Sequence, residues 1–131
     1  MPEITIEIPM TAHDRRRVRR ILQAPDGASF PLDLPTGTVL HPGQVLHQAG
    51  ERIYVVAAAP EDVFVISPSD AGEGARVGHL IGNLHRDIEV DGIEVIALAD
   101  EALADRLRRA GVEFTTARRA FHGKAAGDHA H

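Results

Sequence analysis

The chain has 131 residues, enough for one ordinary domain or two very small ones, and its 44% hydrophobic and 25% charged residues are typical of a globular protein. A net charge of −5 and an aromatic content of 4% argue against nucleic acid as a partner. No apolar run is long enough to span a membrane, so we expect the protein to bind neither nucleic acid nor a membrane. Cysteine is absent, which excludes disulfides and thiolate metal sites, and we therefore expect a cytoplasmic location. Any transition metal must be held by the eight histidines, helped by carboxylates or water.

The chain begins with a predicted strand and continues into a basic segment. Isoleucines alternate with polar residues over 4–8, which is the period of a half-buried strand. Five arginines fall within residues 14–20, and they form either an anion-binding patch or the solvated face of a strand. We favour a strand with mostly solvated arginines that leads into a hairpin at Pro25-Asp26-Gly27, while a helix over 15–22 fits the periodicity as well.

Short apolar segments separated by turns fill the rest of the first half. The return strand of the hairpin is predicted over 28–34, and further strands over 39–40, 45–46 and 53–57. Closely spaced short strands of this kind indicate a small all-β unit, either a barrel or a two-sheet sandwich. His41 and His47 lie in this half, and we expect both to be surface residues rather than metal ligands.

The pattern changes after Pro60. A continuous apolar run over 63–66 predicts a strand, Ser67 to Asp70 can cap a helix over 71–84, and Asp91-Gly92 joins two strands over 87–90 and 93–98. Asp100 is predicted to cap a second helix that stops at Gly111, before a last strand over 112–116. The order β-α-β-β-α-β is the ferredoxin-like arrangement. The prediction is therefore an α+β protein with an all-β domain over 1–59, a ferredoxin-like domain over 60–117 and a short flexible tail over 118–131.

The candidate site follows the first helix of the second half. Gly82-Asn83 is predicted to end that helix because both residues tolerate the left-handed conformation, which leaves His85 at an exposed turn. His79 lies six residues earlier and cannot share a helix face with His85, so it is a surface candidate or a neighbour of the site. We find no metalloprotease pattern, nucleophile elbow or phosphate-binding loop, and the sequence gives no positive case for an enzyme. In a symmetric dimer, however, one exposed histidine would supply two imidazoles to a single metal.

Several motifs together resemble the urease accessory protein E family. Gly82-Asn83-Leu84-His85 is similar to the Gly-Asn-X-His signature of that family, although leucine stands where arginine is usual. The segment 34–46 resembles its Leu-Pro-X-Gly and Leu-X-X-Gly-X-X-Leu pattern, 55–65 its Val-X-Ala-X-X-Glu-X-Val stretch, and 103–111 the leucine-containing helix with a glycine stop. The likeness covers most of the chain.

The resemblance implies a nickel metallochaperone rather than an enzyme. It implies an N-terminal domain of the peptide-binding type, and a C-terminal domain that forms a homodimer and binds Ni(II) through His85 of each copy, with Zn(II) or Cu(II) as competing metals. Tail histidines would add ligands, here His122, His129 and His131. The implied partners are urease and its other accessory proteins, including a GTPase. The alternative function is a metal-independent adaptor in urease assembly.

Overall fold

The computed structural model describes residues 4–123, and the chain divides into two compact units, residues 1–59 and 60–131. The first unit is all-β and the second has the order β-α-β-β-α-β, which confirms the predicted α+β class. Neither helix among the described residues is long and apolar enough to cross a lipid bilayer.

The first unit contains a three-stranded sheet and a separate hairpin. Its strands are β1 (Ile4–Met10), β2 (Arg19–Gln23), β3 (Ser29–Asp33), β4 (Val45–Ala49) and β5 (Arg52–Ala58). In the sheet, β5 lies between β1, to which it is parallel, and β4, to which it is antiparallel. The hairpin pairs β2 with β3 through the predicted Pro25-Asp26-Gly27 turn. Alternating apolar side chains from both parts form one core, which includes Ile8, Met10, Leu22, Phe30, Leu32, Tyr54 and Val56.

Two details of the first unit differ from the sequence prediction. Residues 39–40 form no strand, but Leu40 is still buried and its N–H donates to the carbonyl of Arg15 at 2.8 Å. The arginines are not all solvated, because a 3-10 helix over Asp14–Arg16 turns Arg15 into the protein, where it is 5% exposed. Its Nη1 donates to the carbonyl of Met10 at 2.9 Å, which offsets part of the cost of burying the charge.

The second unit packs two helices on a four-stranded sheet. Its elements are β6 (Pro60–Ile66), α1 (Ala71–Asn83), β7 (Glu89–Asp91), β8 (Glu94–Leu98), α2 (Glu101–Arg109) and β9 (Thr115–Ala120). The strand order is β7-β8-β6-β9, with all pairs antiparallel. The core between sheet and helices includes Phe64, Ile66, Val77, Ile81, Val95, Leu103 and Leu107. Both helices begin as predicted, because Asp70 and Asp100 each accept a hydrogen bond from a first-turn N–H at 2.8 Å.

The predicted end of this unit, and the predicted start of the tail, were wrong. The last strand spans Thr115–Ala120 instead of 112–116, so residues 118–120 belong to the sheet and not to a tail. The strand contains polar residues such as Arg118 and Arg119, so it lacks the apolar alternation from which a strand is predicted. It forms at the edge of the sheet because its backbone pairs with β6. The next residue, Phe121, is fully buried.

Candidate metal centre

His85 is exposed and lies directly beyond the C-terminal end of α1. The helix is fixed to the unit by Val77 and Ile81, which are 1% and 0% exposed, and the last residue of the helix is Asn83. The site candidate therefore does not lie on a loose loop. It is the second residue after a helix end whose apolar side is part of the core.

The backbone around His85 forms a Schellman motif. The His85 N–H donates to the carbonyl of Gly82 at 2.9 Å, and the Arg86 N–H donates to the carbonyl of Ile81 at 3.3 Å. His85 has φ = +59° and is the one non-glycine residue with positive φ among residues 4–123. The sequence prediction assigned the left-handed conformation to Gly82-Asn83, but both residues are inside the helix, and His85 adopts it instead.

The second helix provides a direct comparison. It ends in the same motif, with the Gly111 N–H bonded to the carbonyl of Arg108 at 3.0 Å and the Val112 N–H bonded to the carbonyl of Leu107 at 2.9 Å. The left-handed position is there occupied by Gly111, with φ = +72°. Glycine is the usual residue at this position because it has no Cβ to clash with the backbone. The same local geometry therefore carries glycine in one helix and histidine in the other.

An ion pair ties the segment after His85 to the start of the second helix. Arg86 Nη1 donates to Oδ2 of Asp100, while Oδ1 of the same carboxylate accepts from the Leu103 N–H at 2.8 Å. One aspartate thus caps α2 and holds the residue that follows the candidate ligand. The pair is 40% and 34% exposed, so solvent screens the charge interaction, and its main effect is geometric.

Of the predicted tail ligands, only His122 lies among the described residues. Its side chain is exposed, and its backbone N–H donates to Oε1 of Glu89 at 2.8 Å. Glu89 is the fourth residue after His85, so the structure places these two candidate ligands on connected segments. His129 and His131 lie outside the described residues. Within residues 4–123, no three side chains of the metal-binding types are close enough to hold a metal together.

Three further histidines lie in other surroundings. His79 is exposed on α1, and His41 is exposed in a turn. His47 is only half-buried on the surface and stacks on Phe30, with ring centroids 4.5 Å apart and an angle of 11° between the planes. It also lies 5.8 Å from the Tyr54 ring. His47 is therefore part of an aromatic cluster, which the sequence did not predict.

The sequence prediction missed three residues around the candidate site. Arg86 lies directly after the Gly-Asn-X-His motif, and Asp100 was predicted only as a helix cap. Nothing in the sequence around either residue predicted the ion pair between them. Glu89 lies in a short strand, 33 positions before the residue that it contacts. No local pattern could have found these contacts, because each joins residues that only the fold brings together.

Comparisons with known proteins agree along the whole chain. Residues 3–59 match the family description "UreE urease accessory protein, N-terminal domain", and residues 61–131 match the corresponding C-terminal domain. The urease accessory protein UreE of Deinococcus radiodurans is 50% identical over 95% of this chain and 80% of its own length. That of Synechococcus sp. (strain JA-3-3Ab) is 46% identical over 96% of this chain and 85% of its own length. That of Corynebacterium efficiens is 35% identical over 76% and 66%.

Proposed function

The chain belongs to the family of UreE urease accessory proteins, and we propose that it is a cytoplasmic nickel carrier in urease assembly whose metal ligand is His85. In this proposal it is not an enzyme. The C-terminal unit binds the metal and forms the homodimer, the N-terminal unit contacts a partner, and the dimer passes Ni(II) to urease with other accessory proteins, including a GTPase.

The observation that carries the proposal is the left-handed backbone of His85. An L-residue in this conformation is less stable than glycine by about 1–2 kcal/mol, and the equivalent position of α2 is glycine. Strained residues of this kind are concentrated at functional sites, where the side chain is needed in one position. An exposed imidazole that occupies this position in spite of the strain supports a role as a ligand.

Two copies of the chain would complete the site. In a two-fold dimer a residue on the axis meets its own copy, so two imidazoles would face one metal ion. Imidazole favours nickel, copper and zinc over magnesium and calcium. Copper binds such donors more tightly and zinc competes, so the ligand set alone gives no preference for nickel. A site with few protein ligands and open positions suits a carrier, because the metal must leave again.

Titration calorimetry with NiSO₄ tests the role of His85. Mutating a residue that hydrogen-bonds to a metal ligand typically lowers metal affinity about 10–100-fold. The His85→Ala variant removes the proposed ligand itself, so its affinity for Ni(II) is expected to fall by at least this much. The matched control is His79→Ala, which removes an exposed histidine of α1 and should bind like the wild type. Sedimentation of each variant checks that the dimer is retained. Unchanged nickel affinity in His85→Ala would show that the proposal is wrong.

A metal-independent adaptor is the second candidate, and one feature of the first unit favours it. Ile21 is 67% exposed on β2, next to the exposed Arg19 of the same strand. In the adaptor function, this exposed basic strand would contact the partner protein. A pull-down of urease components with and without a nickel chelator separates the two functions. Recovery that does not change when the metal is removed would favour the adaptor.

A further inference from the structure

The chain beyond β9 is directed back toward the loop that carries His85. Phe121 is 0% exposed, and its ring lies against Gly123, where there is no room for a Cβ atom. A Cβ at Gly123 would also lie 3.0 Å from the Cβ of Asp87. Asp87 is the second residue after His85, so the last described residue of the chain lies beside the candidate site.

A single carboxylate connects the two segments. Glu89 Oε1 accepts from the backbone N–H of His122 at 2.8 Å, and Glu89 Oε2 is 3.3 Å from Nη2 of Arg119. The same Arg119 nitrogen lies 3.3 Å from Oδ2 of Asp91. The Glu89 side chain is only 13% exposed, so both of these charge-assisted interactions are partly shielded from water.

The connection crosses the sheet. In the strand order β7-β8-β6-β9, Glu89 is on one edge strand, and Arg119 is on the other. Backbone pairing between strands therefore cannot hold the residues after β9 against β7. The side chain of Glu89 makes this connection with both oxygens, in addition to the burial of Phe121 and the packing of Gly123 beside Asp87.

The distance along the chain limits how far the two histidines can be separated. Glu89 is the fourth residue after His85, and four extended Cα–Cα steps span at most about 14 Å. His122 is bonded directly to Glu89, and its imidazole is exposed. The backbone of His122 is therefore fixed to the segment that follows His85.

We propose that Glu89 is a positioning residue for nickel binding: together with Arg119 it holds His122 beside the His85 loop, so that the His122 imidazole can bind the same Ni(II). This inference rests on the proposed function, and it assigns a task to residues that the Gly-Asn-X-His motif does not include. Glu89 acts through His122 and does not itself bind the metal.

The test is a nickel titration of Glu89→Ala and Glu89→Gln by calorimetry. Glu89→Ala removes the acceptor of the His122 N–H and is expected to lower nickel affinity about 10-fold or more. Glu89→Gln keeps an oxygen that can accept this bond but loses the charge that holds Arg119, so its affinity should lie between those of Glu89→Ala and the wild type. The control is Glu113→Ala, which removes an exposed glutamate of the same unit and should leave affinity unchanged. An equal loss in Glu113→Ala would overturn the inference, because the effect would then be one of net charge.

A second background distinguishes positioning from folding or direct ligation. The same Glu89→Ala change is made in a chain in which His122, His129 and His131 are all alanine. There it should have no further effect on nickel affinity, because nothing is left to position. A further loss in that background would overturn the inference. If Glu89→Ala binds like the wild type while His85→Ala does not, this inference fails and the proposed function stands; if His85→Ala also binds like the wild type, the proposed function fails.

Discussion

The left-handed backbone of His85 predicts that this histidine lowers the stability of the protein. Replacing His85 by glycine removes an L-residue from φ = +59°, which relieves about 1–2 kcal/mol of strain. Glycine also gains conformational freedom in the unfolded chain, which opposes this by about 0.4–1 kcal/mol. The net expectation is that His85→Gly raises the free energy of unfolding by about 0.5–1 kcal/mol, and that it also abolishes the nickel binding proposed for the imidazole.

Urea unfolding of the metal-free protein, followed by circular dichroism, measures this difference. His85→Ala is the matched control, because it removes the imidazole but keeps a Cβ in the left-handed conformation; it should therefore gain no stability. Gly111→Ala is the reverse experiment at the end of α2. A Cβ built at Gly111 meets no described atom within 4 Å, so any loss of stability there reports the backbone alone.

The comparison of the two His85 variants decides the outcome. If His85→Gly is no more stable than His85→Ala, then the left-handed backbone carries no strain, and the main support for the function of His85 is lost. If Gly111→Ala is as stable as the wild type, the strain estimated for this motif is too high in both helices.

Three further changes test contacts that the structure shows. Asp100→Ala should lower the free energy of unfolding by about 1–2 kcal/mol, because it removes both the cap of α2 and the partner of Arg86. Asp100→Asn should lower it by less than about 1 kcal/mol, because asparagine also caps helices. Equal losses for the two variants in urea unfolding would contradict this. Hydrogen bonds from Tyr54 and from a backbone N–H lower the pKa of Asp26 below its usual 3.8, so its stabilisation is present above that pH and is lost as the pH falls through the lowered value. Asp26→Asn should therefore be less stable than the wild type at pH 7 and lose less stability on acidification, and parallel curves of stability against pH from 7 to 2 would refute this. Phe121→Ala should destabilise the C-terminal unit by about 3–5 kcal/mol in thermal or urea unfolding, since the ring is fully buried, and a loss under 1 kcal/mol would mean that the ring does not pack as described.

Features that depend on a few neighbouring residues were predictable from the sequence. The hairpin turn at Pro25-Asp26-Gly27, the caps Asp70 and Asp100, and the order of elements after Pro60 all follow from local geometry. A turn or a cap is stabilised by bonds within about four residues, so the sequence pattern contains nearly all of the information.

Sequence patterns and the family resemblance thus predicted the class of the fold, its two-part organisation and His85 as the candidate ligand. The folded chain was needed to show that His85 is left-handed, that Arg86 pairs with Asp100, and that Glu89 binds the backbone of His122. The sequence could not supply the last two, because partners that lie 14 and 33 residues apart meet only after the sheet has formed. The extension of β9 to Ala120 has the same cause: its polar residues are stabilised by backbone pairing with β6, which no local pattern records.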